Sequence, residues 1–382
     1  MAKFSADWSY PTAIRFGPGR IAELADAAAE VRITRPLVVT DRGVADLPIL
    51  GRARAVLTAA GIAHEVFTGV DPNPTEANLS AGLDAYRDGG HDGVIAFGGG
   101  SAMDLGKCVA LMIGQNRPVW DFEDVGDWWR RAKTQAIAPI IAVPTTAGTG
   151  SELGRAGVLT NSESREKKII FHPSLLPAVV IADPELTLGL PPALTAGTGM
   201  DAFAHCFEAY SSPHFHPMSQ GIALEGMRLV LANLPRAFQD GGDLTARSNL
   251  LAAAGMGAVA FQKGLGAVHA LSHPVGAVFD THHGTTNAVV LPAVMDFNRD
   301  HIAERFARAS GYLGIAGGLS GLRRRVVEMN ADFGFPTGLG GLGVTDDRLD
   351  LLTEMALRDP SVGGNPRPMD AENTRRLFAA AL

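Results

Sequence analysis

Residues 93–107 read GVIAFGGGSAMDLGK, and this stretch decides the class of fold. An apolar run enters three consecutive glycines, and a segment of helical character follows. Glycines let a ligand approach the backbone, and the free N–H groups at the start of a helix favour a phosphate. Ser101 could instead cap the helix, with Asp104 in a capping-box position, and the spacing is not the common GxGxxG fingerprint. The stretch therefore predicts a βα unit and leaves phosphate binding open.

Other short apolar runs extend this pattern over the first half of the chain. They are PLVVTD at 36–41, PIIAVPTT at 139–146 and AVVIADP at 178–184. Helical stretches separate them, which predicts βαβ units and a largely parallel sheet. After Pro191 and Pro192 the strand signal ends, and Ala/Leu/Met-rich segments of helical period follow. We expect an α/β plus all-α organisation, with an α/β domain over 1–186, an all-helical domain over 187–382 and a ligand in the cleft between them.

The second half contains a set of residues that could bind a metal. In GMDAFAHCFEAY, Asp201 and His205 are four residues apart, so both side chains project from one face of a helix. His269 and His273 repeat this spacing, and His283 precedes a glycine. Neutral imidazoles suit Fe(II), Zn(II), Ni(II) or Cu(II), and one carboxylate leaves room for an exchangeable ligand. Spacing does not decide which four of the five bind, and any one histidine could be an ordinary core or surface residue.

A carboxylate ends one of the predicted strands. Asp41 closes PLVVTD, where it could accept hydrogen bonds from the adenosine ribose hydroxyls and repel a 2′-phosphate. In the common fingerprint this acid follows the glycines, whereas here it precedes them. The segment Thr145–Glu152, read by motif alone, is a turn with capping hydroxyls.

Composition restricts the class of protein. A chain of 382 residues, 46% hydrophobic and 19% charged, is long enough for two domains with proper cores. A net charge of -7 with no basic run argues against a nucleic-acid surface. The first residues lack a basic region followed by an apolar one, and no apolar stretch is long enough to span a bilayer, so we expect a cytoplasmic protein. Two cysteines, Cys108 and Cys206, are expected to be buried free thiols.

Motifs along nearly the whole chain resemble the iron-containing (group III) alcohol dehydrogenases. The resemblance lies in the order and content of YPTAIRFGPGRI, LVVTDRGV, GVDPNPTEANL, FGGGSAMDLGK, PTTAGTGSE, IADPELTLGLPP, GMDAFAHCFEAY, GLGAVHALSHPVGA, HHGTTNAVVLP and GGNPRP. It implies a Rossmann-like dinucleotide-binding domain followed by a helical metal-binding domain, in a dehydroquinate synthase-like fold. One departure is His282, where many members have proline; we expect its ring to face solvent.

The resemblance also implies the roles of particular residues. It makes Asp201, His205, His269 and His283 the metal ligands and His273 a catalytic residue beside them. It further implies that the cofactor groove is formed by Asp41, Asn73, Gly98, Gly99, Gly100, Ser101, Asp104, Thr145, Thr146, Thr149 and Lys167.

The function that the resemblance implies is hydride transfer between a small alcohol and NAD. Such an enzyme would be a metal-dependent alcohol dehydrogenase or aldehyde reductase with Fe(II), or alternatively Zn(II), as its metal, and would form a homodimer or higher homo-oligomer. Two rival functions are a lyase of the dehydroquinate synthase type and a non-catalytic NAD or metal sensor. The spacing of the histidines and aspartate speaks against the first, and the complete set of catalytic positions against the second.

Lys263 suggests a hypothesis about the substrate. It lies six residues before His269, in a segment that lines the substrate pocket of the resembling family. A cation there could pair with an anionic group of a hydroxy acid or semialdehyde, and Arg367 in GGNPRP offers a second positive group. The alternative is a solvated lysine at the start of a helix.

Overall fold

The computed structural model describes residues 12–164 and 166–382. Among these, one compact unit contains 12–146 and 150–189, and a second contains 147–149 and 190–382. The division after residue 189 lies close to the expected one after residue 186.

The first unit contains a parallel six-stranded sheet. Its strands and those of a separate hairpin are β1 (Ala13–Phe16), β2 (Pro36–Asp41), β3 (Glu65–Val70), β4 (Gly93–Gly98), β5 (Ile140–Pro144), β6 (Ala156–Asn161), β7 (Glu166–Phe171) and β8 (Val179–Ala182). The sheet order is β1-β8-β5-β4-β2-β3, and all five pairs of neighbouring strands in it are parallel. The hairpin β6-β7 is antiparallel.

Helices of this unit cover both faces of the sheet. They are α1 (Leu24–Glu30), α2 (Arg42–Ala45), α3 (Pro48–Ala59), α4 (Glu76–Asp88) and α5 (Gly100–Met112). Alternate side chains of one strand enter different cores: Val39 packs with α4 and α5, while Val38 packs with α1 and α3. Burial on both faces explains why PLVVTD and GVIAFG are continuous apolar runs rather than alternating ones.

The four strands predicted from the sequence are present, and four further strands were not predicted. Strand β1 has only four residues, three of them exposed, and β3 is only partly buried, so neither has a continuous apolar run. The hairpin packs on α5 closely enough that a Cβ on Gly157 would lie 2.7 Å from the Asp104 carbonyl oxygen. The prediction of a largely parallel sheet with helices is confirmed.

The second unit is helical over 190–382. Its helices are α6 (Pro192–Ser211), α7 (Pro217–Gln239), α8 (Leu244–Ala260), α9 (Ala267–Phe279), α10 (His283–Phe297), α11 (Arg299–Ala309), α12 (Gly318–Asp332), α13 (Leu349–Arg358) and α14 (Ala371–Ala381). Helix α6 begins with proline at its first position, where no N–H is needed, and sixteen of its residues are buried. A helix buried on nearly all sides belongs at the centre of a core.

Both cysteines are buried and free, as expected. Within the described ranges, no single helix has the length and apolar character to cross a membrane. One pair, Leu244–Lys263 and Ala267–Phe279, passes that test together but bends by 108°.

Candidate metal and cofactor sites

One face of α6 carries three acidic or imidazole side chains. Asp201, His205 and Glu208 follow at spacings of four and three residues, which stacks them along one side of the helix. All three are buried, with 2%, 5% and 3% of their surface exposed. Buried ionisable groups need partners, so this face must meet complementary groups from other helices.

Helices α9 and α10 supply those groups. His269 from α9 and His283 from the first turn of α10 converge on the same carboxylate oxygen as His205. The distances from Asp201 Oδ1 to Nε2 of His205, His269 and His283 are 3.7, 3.6 and 3.5 Å. We call Asp201 and these three histidines the imidazole cluster.

The imidazole cluster has the dimensions of a metal site. Donor atoms placed at the usual 2.0–2.2 Å from a tetrahedral ion lie about 3.4 Å from one another. Ligand atoms of Asp201, His205 and His269 all lie within 4.8 Å of one another. His283 lies outside this group of three, although its Nε2 is 3.5 Å from Asp201 Oδ1. Three imidazoles and one carboxylate fit Fe(II) or Zn(II).

In the imidazole cluster, burial and neighbouring charges shift the pKa values of the side chains in opposite directions. Burial alone would raise the pKa of Asp201, but the surrounding imidazoles, His205 first, hold it well below its usual range. Burial lowers the pKa of His205 to about 4, against the opposing effect of Asp201. An ionised carboxylate and a neutral imidazole are the forms that bind a metal.

His269 is held by a second carboxylate. Its Nδ1 lies 2.5 Å from Glu208 Oε2, while Glu208 Oε1 accepts from the Val268 N–H at 2.6 Å. Burial alone would lower the pKa of His269, but Glu208 and Asp201 raise it to about 10. A cation at Nε2 would therefore replace a proton.

His273 stands beside the imidazole cluster and has its own carboxylate. Its Nδ1 lies 2.7 Å from Asp359 Oδ2, and Asp359 Oδ1 accepts from the Ser361 N–H at 2.8 Å. Burial alone would raise the pKa of Asp359, but His273 lowers it to about 2. The ring stacks on that of His283 with 5.4 Å between centroids. An ionised Asp359 accepts a hydrogen from Nδ1, which leaves Nε2 as the atom able to take a proton.

Asn287 reaches into the imidazole cluster from one turn beyond His283. Its Nδ2 lies 2.8 Å from Asp201 Oδ1 and 3.1 Å from His283 Nε2. The residue is fully buried. Its side chain therefore borders the position that a metal would occupy.

Close packing of α6 and α10 requires glycine. A Cβ on Gly284 would lie 2.0 Å from the carbonyl oxygen of Gly197, so no side chain fits there. This contact sets the first turn of α10, and with it His283, directly against α6. His282 is exposed, as expected, and its Nδ1 accepts from the Thr285 N–H as the N-cap of α10.

In the first unit, the cofactor candidates collect where neighbouring strands end. Asp41 is the last residue of β2 and Gly98 the last of β4, and Thr145 and Thr146 directly follow β5. Asn73 follows β3 in the same way. Because these strands are parallel and adjacent, their carboxyl ends lie on one edge of the sheet.

We call Asp41, Asn73, Gly98–Ser101, Thr145 and Thr146 the strand-end edge. The Thr145 N–H donates to the Gly98 carbonyl at 2.9 Å, which ties the loops after β4 and β5 together. Gly98 has φ +146, and a Cβ there would lie 2.8 Å from the Ala102 Cβ and 3.3 Å from Asp41 Oδ2. Only glycine brings the backbone this close to the carboxylate. Asp41 Oδ1 accepts from the Val44 N–H at 3.0 Å, so this side chain also caps α2.

The alternative in which Ser101 and Asp104 form a capping box is wrong. Helix α5 begins at Gly100 with Gly99 as its N-cap, and no side chain caps it. Ser101 Oγ donates to the Pro72 carbonyl at 2.6 Å, which leaves the start of α5 without a side-chain oxygen. Asp104 accepts instead from Ser151 Oγ at 2.6 Å.

Besides Asp104, two further cofactor candidates, Thr149 and Lys167, are not part of the strand-end edge. Lys167 is on hairpin strand β7. Burial raises the pKa of the Asp104 carboxyl, and the charges of Lys107 and, less strongly, Lys167 oppose that rise. Thr149 belongs to the second unit.

Comparison with known proteins places this chain in a family. The family model described as iron-containing alcohol dehydrogenase matches residues 11–184. The model of the C-terminal region of the Fe-containing alcohol dehydrogenase family matches 195–382. The chain belongs to the iron-containing alcohol dehydrogenase family. It is therefore an oxidoreductase of the alcohol dehydrogenase type.

Individual members of the family are similar over their full lengths. A 4-hydroxybutyrate dehydrogenase of Cupriavidus necator is 40% identical, over 98% of this chain and 99% of that protein. A 1,3-propanediol dehydrogenase of Citrobacter freundii is 34% identical, over 98% of each. A solved 1,3-propanediol oxidoreductase superposes with a TM-score of 0.92 at 33% identity, over 99% of this chain and 100% of that one.

Three site residues of this family member were missed by the sequence reasoning. Glu208 could have been found, because it continues the Asp201/His205 face by one more turn. Asn287 follows His283 by four residues, which is the same spacing that singled out the histidine pairs. Asp359 is 86 residues from His273 and gives no local signal.

The hypothesis that Lys263 pairs with a substrate anion is wrong, and so is the alternative of a solvated lysine. The residue is only 2% exposed. Its Nζ donates to three carbonyls at the end of α6, those of Ala209, Tyr210 and Ser212, at 2.9, 3.3 and 2.7 Å. Burial and then the charge of Arg305 lower its pKa to about 7, whereas three acceptors require all three ammonium protons. Lys263 caps α6.

Arg367 does not provide the second positive group. Its guanidinium lies 4.3 Å from the Phe297 ring centroid and donates to the Phe297 carbonyl. It lines a cavity of about 580 Å³ among α10, α12 and α14, and no residue of the imidazole cluster lines that cavity.

Proposed function

We propose that this protein catalyses the reversible, NAD(H)-dependent oxidation of a small alcohol, with Asp201, His205, His269 and His283 holding Fe(II). The observation that carries the proposal is the convergence of three imidazoles on one ionised carboxylate in a buried site. Zn(II) is the alternative metal, since the donor set accommodates either ion. Residues 1–186 would form the NAD-binding domain and 187–382 the catalytic one.

His273 would move the proton. When bound, the divalent ion would act as a Lewis acid toward the substrate oxygen, and the nicotinamide would exchange a hydride with the carbinol carbon. Asp359 holds the Nδ1 side of His273, so Nε2 would accept the hydroxyl proton and pass it toward solvent, directly or through the ribose hydroxyls.

The strand-end edge would hold the dinucleotide. Parallel sheets bind ligands outside the carboxyl ends of their strands, and the residues there are small, as a backbone approach to a pyrophosphate requires. Asp41 would accept hydrogen bonds from the adenosine ribose and disfavour a 2′-phosphate. Thr149, Lys167 and Asp104 are further proposed cofactor-binding residues.

We infer that the substrate is a short alcohol with a second oxygen function. The relatives named 4-hydroxybutyrate dehydrogenase and 1,3-propanediol dehydrogenase support this class. The two cations that could have favoured an acid, Lys263 and Arg367, are engaged elsewhere, so neither of them selects 4-hydroxybutyrate over a diol.

The test is a substrate panel on protein reconstituted anaerobically with Fe(II) or Zn(II). Absorbance at 340 nm would follow NADH with 4-hydroxybutyrate, 1,3-propanediol, 1-propanol and 1-butanol. We expect kcat/KM to be highest for a bifunctional substrate. NADH formation from none of them with the metal-loaded enzyme would contradict the proposed activity.

The assembly is proposed to be a homodimer or higher homo-oligomer in the cytoplasm. Strand β1 lies at one edge of the sheet and leaves Ile14 and Phe16 42% and 41% exposed. Apolar side chains on an edge strand suit association with a second copy. Sedimentation would test this: Ile14→Lys should shift the distribution toward the monomer, and an unchanged distribution would place the interface elsewhere.

A further inference from the structure

The start of α9 is capped from a distance. Its N-cap residue is Gly266, which has no side chain to offer. The first two N–H groups of the helix instead donate to remote residues: Ala267 to Asn365 Oδ1 at 3.1 Å, and Val268 to Glu208 Oε1 at 2.6 Å. Such groups have no partner within a helix and must find one outside it.

Glycine at position 266 makes this arrangement possible. A Cβ there would lie 2.9 Å from Asn365 Oδ1 and 3.1 Å from Glu208 Oε1. The two remote oxygens thus occupy the space in which an ordinary N-cap side chain would lie.

Glu208, which caps α9 through one carboxylate oxygen, contacts the imidazole cluster through the other. Its Oε2 lies 2.5 Å from His269 Nδ1. A carboxylate only accepts hydrogen bonds, and both of its oxygens are used here by N–H groups. Nδ1 must therefore carry a hydrogen, so Nε2, 3.6 Å from Asp201 Oδ1, is the atom at which a metal can replace a proton.

We propose that Glu208 is a positioning residue that sets the tautomer of His269 and thereby the metal affinity of the site. The inference rests on the proposed role of His269 as a ligand. One carboxylate fixes both the backbone that carries the imidazole and the imidazole itself, so the ring cannot turn without breaking the cap. Asn365 shares the first task and not the second.

Glu208→Gln tests this role, because it replaces one of the two acceptor oxygens with an NH₂ donor and keeps the length of the side chain. The two donors, Val268 N–H and His269 Nδ1–H, contact different oxygens of Glu208, and an amide has an oxygen in only one of these two positions. If its NH₂ faces Nδ1, the imidazole hydrogen moves to Nε2 and blocks the donor atom. If its NH₂ faces Val268, one of the two hydrogen bonds is replaced by a repulsive contact.

The measurement is the dissociation constant for Zn(II) and Co(II), by competition with a chromophoric chelator. We expect Glu208→Gln to weaken binding by about 10- to 100-fold, as loss of a partner behind a metal-binding imidazole typically does. The Co(II) absorption spectrum should change as well, because the spectrum reports the geometry of the donor atoms. Glu208→Asp keeps an acceptor-only group and should bind metal more tightly than Glu208→Gln.

Asn365→Ala is the matched control, since it removes the neighbouring cap without touching the imidazole. It should lower the Tm and leave metal affinity within about threefold of the wild type. Wild-type affinity in Glu208→Gln, or an equal loss of affinity in Asn365→Ala, would overturn the inference.

Including His269→Ala separates this inference from the proposed function. Wild-type affinity in His269→Ala would show that the ligand assignment itself is wrong. Lost affinity in His269→Ala with wild-type affinity in Glu208→Gln would refute the role of Glu208 alone. If Glu208→Gln does not fold, Glu208→Asp is measured in its place. A metal affinity and a Co(II) spectrum equal to those of the wild type support the inference. A metal affinity as low as that of His269→Ala opposes it.

Discussion

The imidazole cluster and the strand-end edge are built by different means. In the helical unit, side chains from α6, α9 and α10 meet at the Asp201 carboxylate. In the sheet unit, the backbone itself contributes most of the proposed cofactor site, where Gly98 has φ +146 and neighbouring strands end together. One substitution can abolish binding at a site formed by side chains. At a site formed mainly by backbone atoms, one substitution mainly alters the affinity or the specificity.

Removal of one imidazole tests the more fragile of the two sites and should give the largest effect. His269→Ala leaves three donors, those of Asp201, His205 and His283, so we expect metal affinity to fall by more than about 100-fold and turnover to fall with it. Elemental analysis and steady-state rates measure both. His301→Ala, at an exposed position of α11, is the control. Full metal occupancy in His269→Ala would remove it from the ligand set.

The next largest effect concerns the proton rather than the metal. His273→Ala should keep its metal and lose about 10²-fold in kcat, the usual contribution of a general acid or base. Metal content and kcat measured on the same preparation separate the two roles. If the metal is lost, His273 is a ligand and one of the other four is not.

The comparison also explains what the sequence could predict. Within one helix the spacing of Asp201 and His205 is fixed by geometry, so the chain alone indicates that they share a face. Strands β2 and β4 are buried on both faces, and so their apolar runs were recognisable. Strand β1 is exposed and short, and nothing local distinguishes it from a loop.

Contacts between segments that are far apart in the sequence could not be predicted from it. Asp359 meets His273, and Asn365 caps α9 across 98 residues, because tertiary packing brings their loops to that helix. The prediction about Lys263 was wrong for the same reason. Its position near His269 in sequence suggested a substrate contact, while the fold directs its ammonium to the end of α6.

A smaller effect is expected at the strand-end edge. Asp41→Gly should narrow or invert the preference for NADH over NADPH, because the carboxylate that would face a 2′-phosphate is gone. The ratio of kcat/KM for the two cofactors measures it. Equal use of NADPH and NADH by the wild type would contradict the role of Asp41.

Asp41→Asn is the matched variant for that measurement. Asparagine keeps an oxygen for the Val44 N–H and so preserves the cap of α2, while it removes the charge. If charge decides the preference, Asp41→Asn and Asp41→Gly should shift the cofactor ratio in the same direction. If only Asp41→Gly shifts it, local backbone freedom is responsible.

The smallest effect on catalysis is expected from the residue that merely supports the imidazole cluster. Lys263→Met keeps the buried length of the side chain and removes three charge-assisted hydrogen bonds to the end of α6, the helix that carries Asp201 and His205. Replacing a charged donor typically costs about 1.5–3 kcal/mol, which for a protein of this size lowers Tm by several degrees. Arg305 also donates to the Ser212 carbonyl at 2.9 Å, so the end of α6 is not left without a cation. We expect calorimetry to show a lower Tm for Lys263→Met than for the wild type. The ratio of kcat/KM for succinic semialdehyde to kcat/KM for butanal should stay unchanged. A selective loss of activity toward the semialdehyde would show that Lys263 contacts the substrate after all.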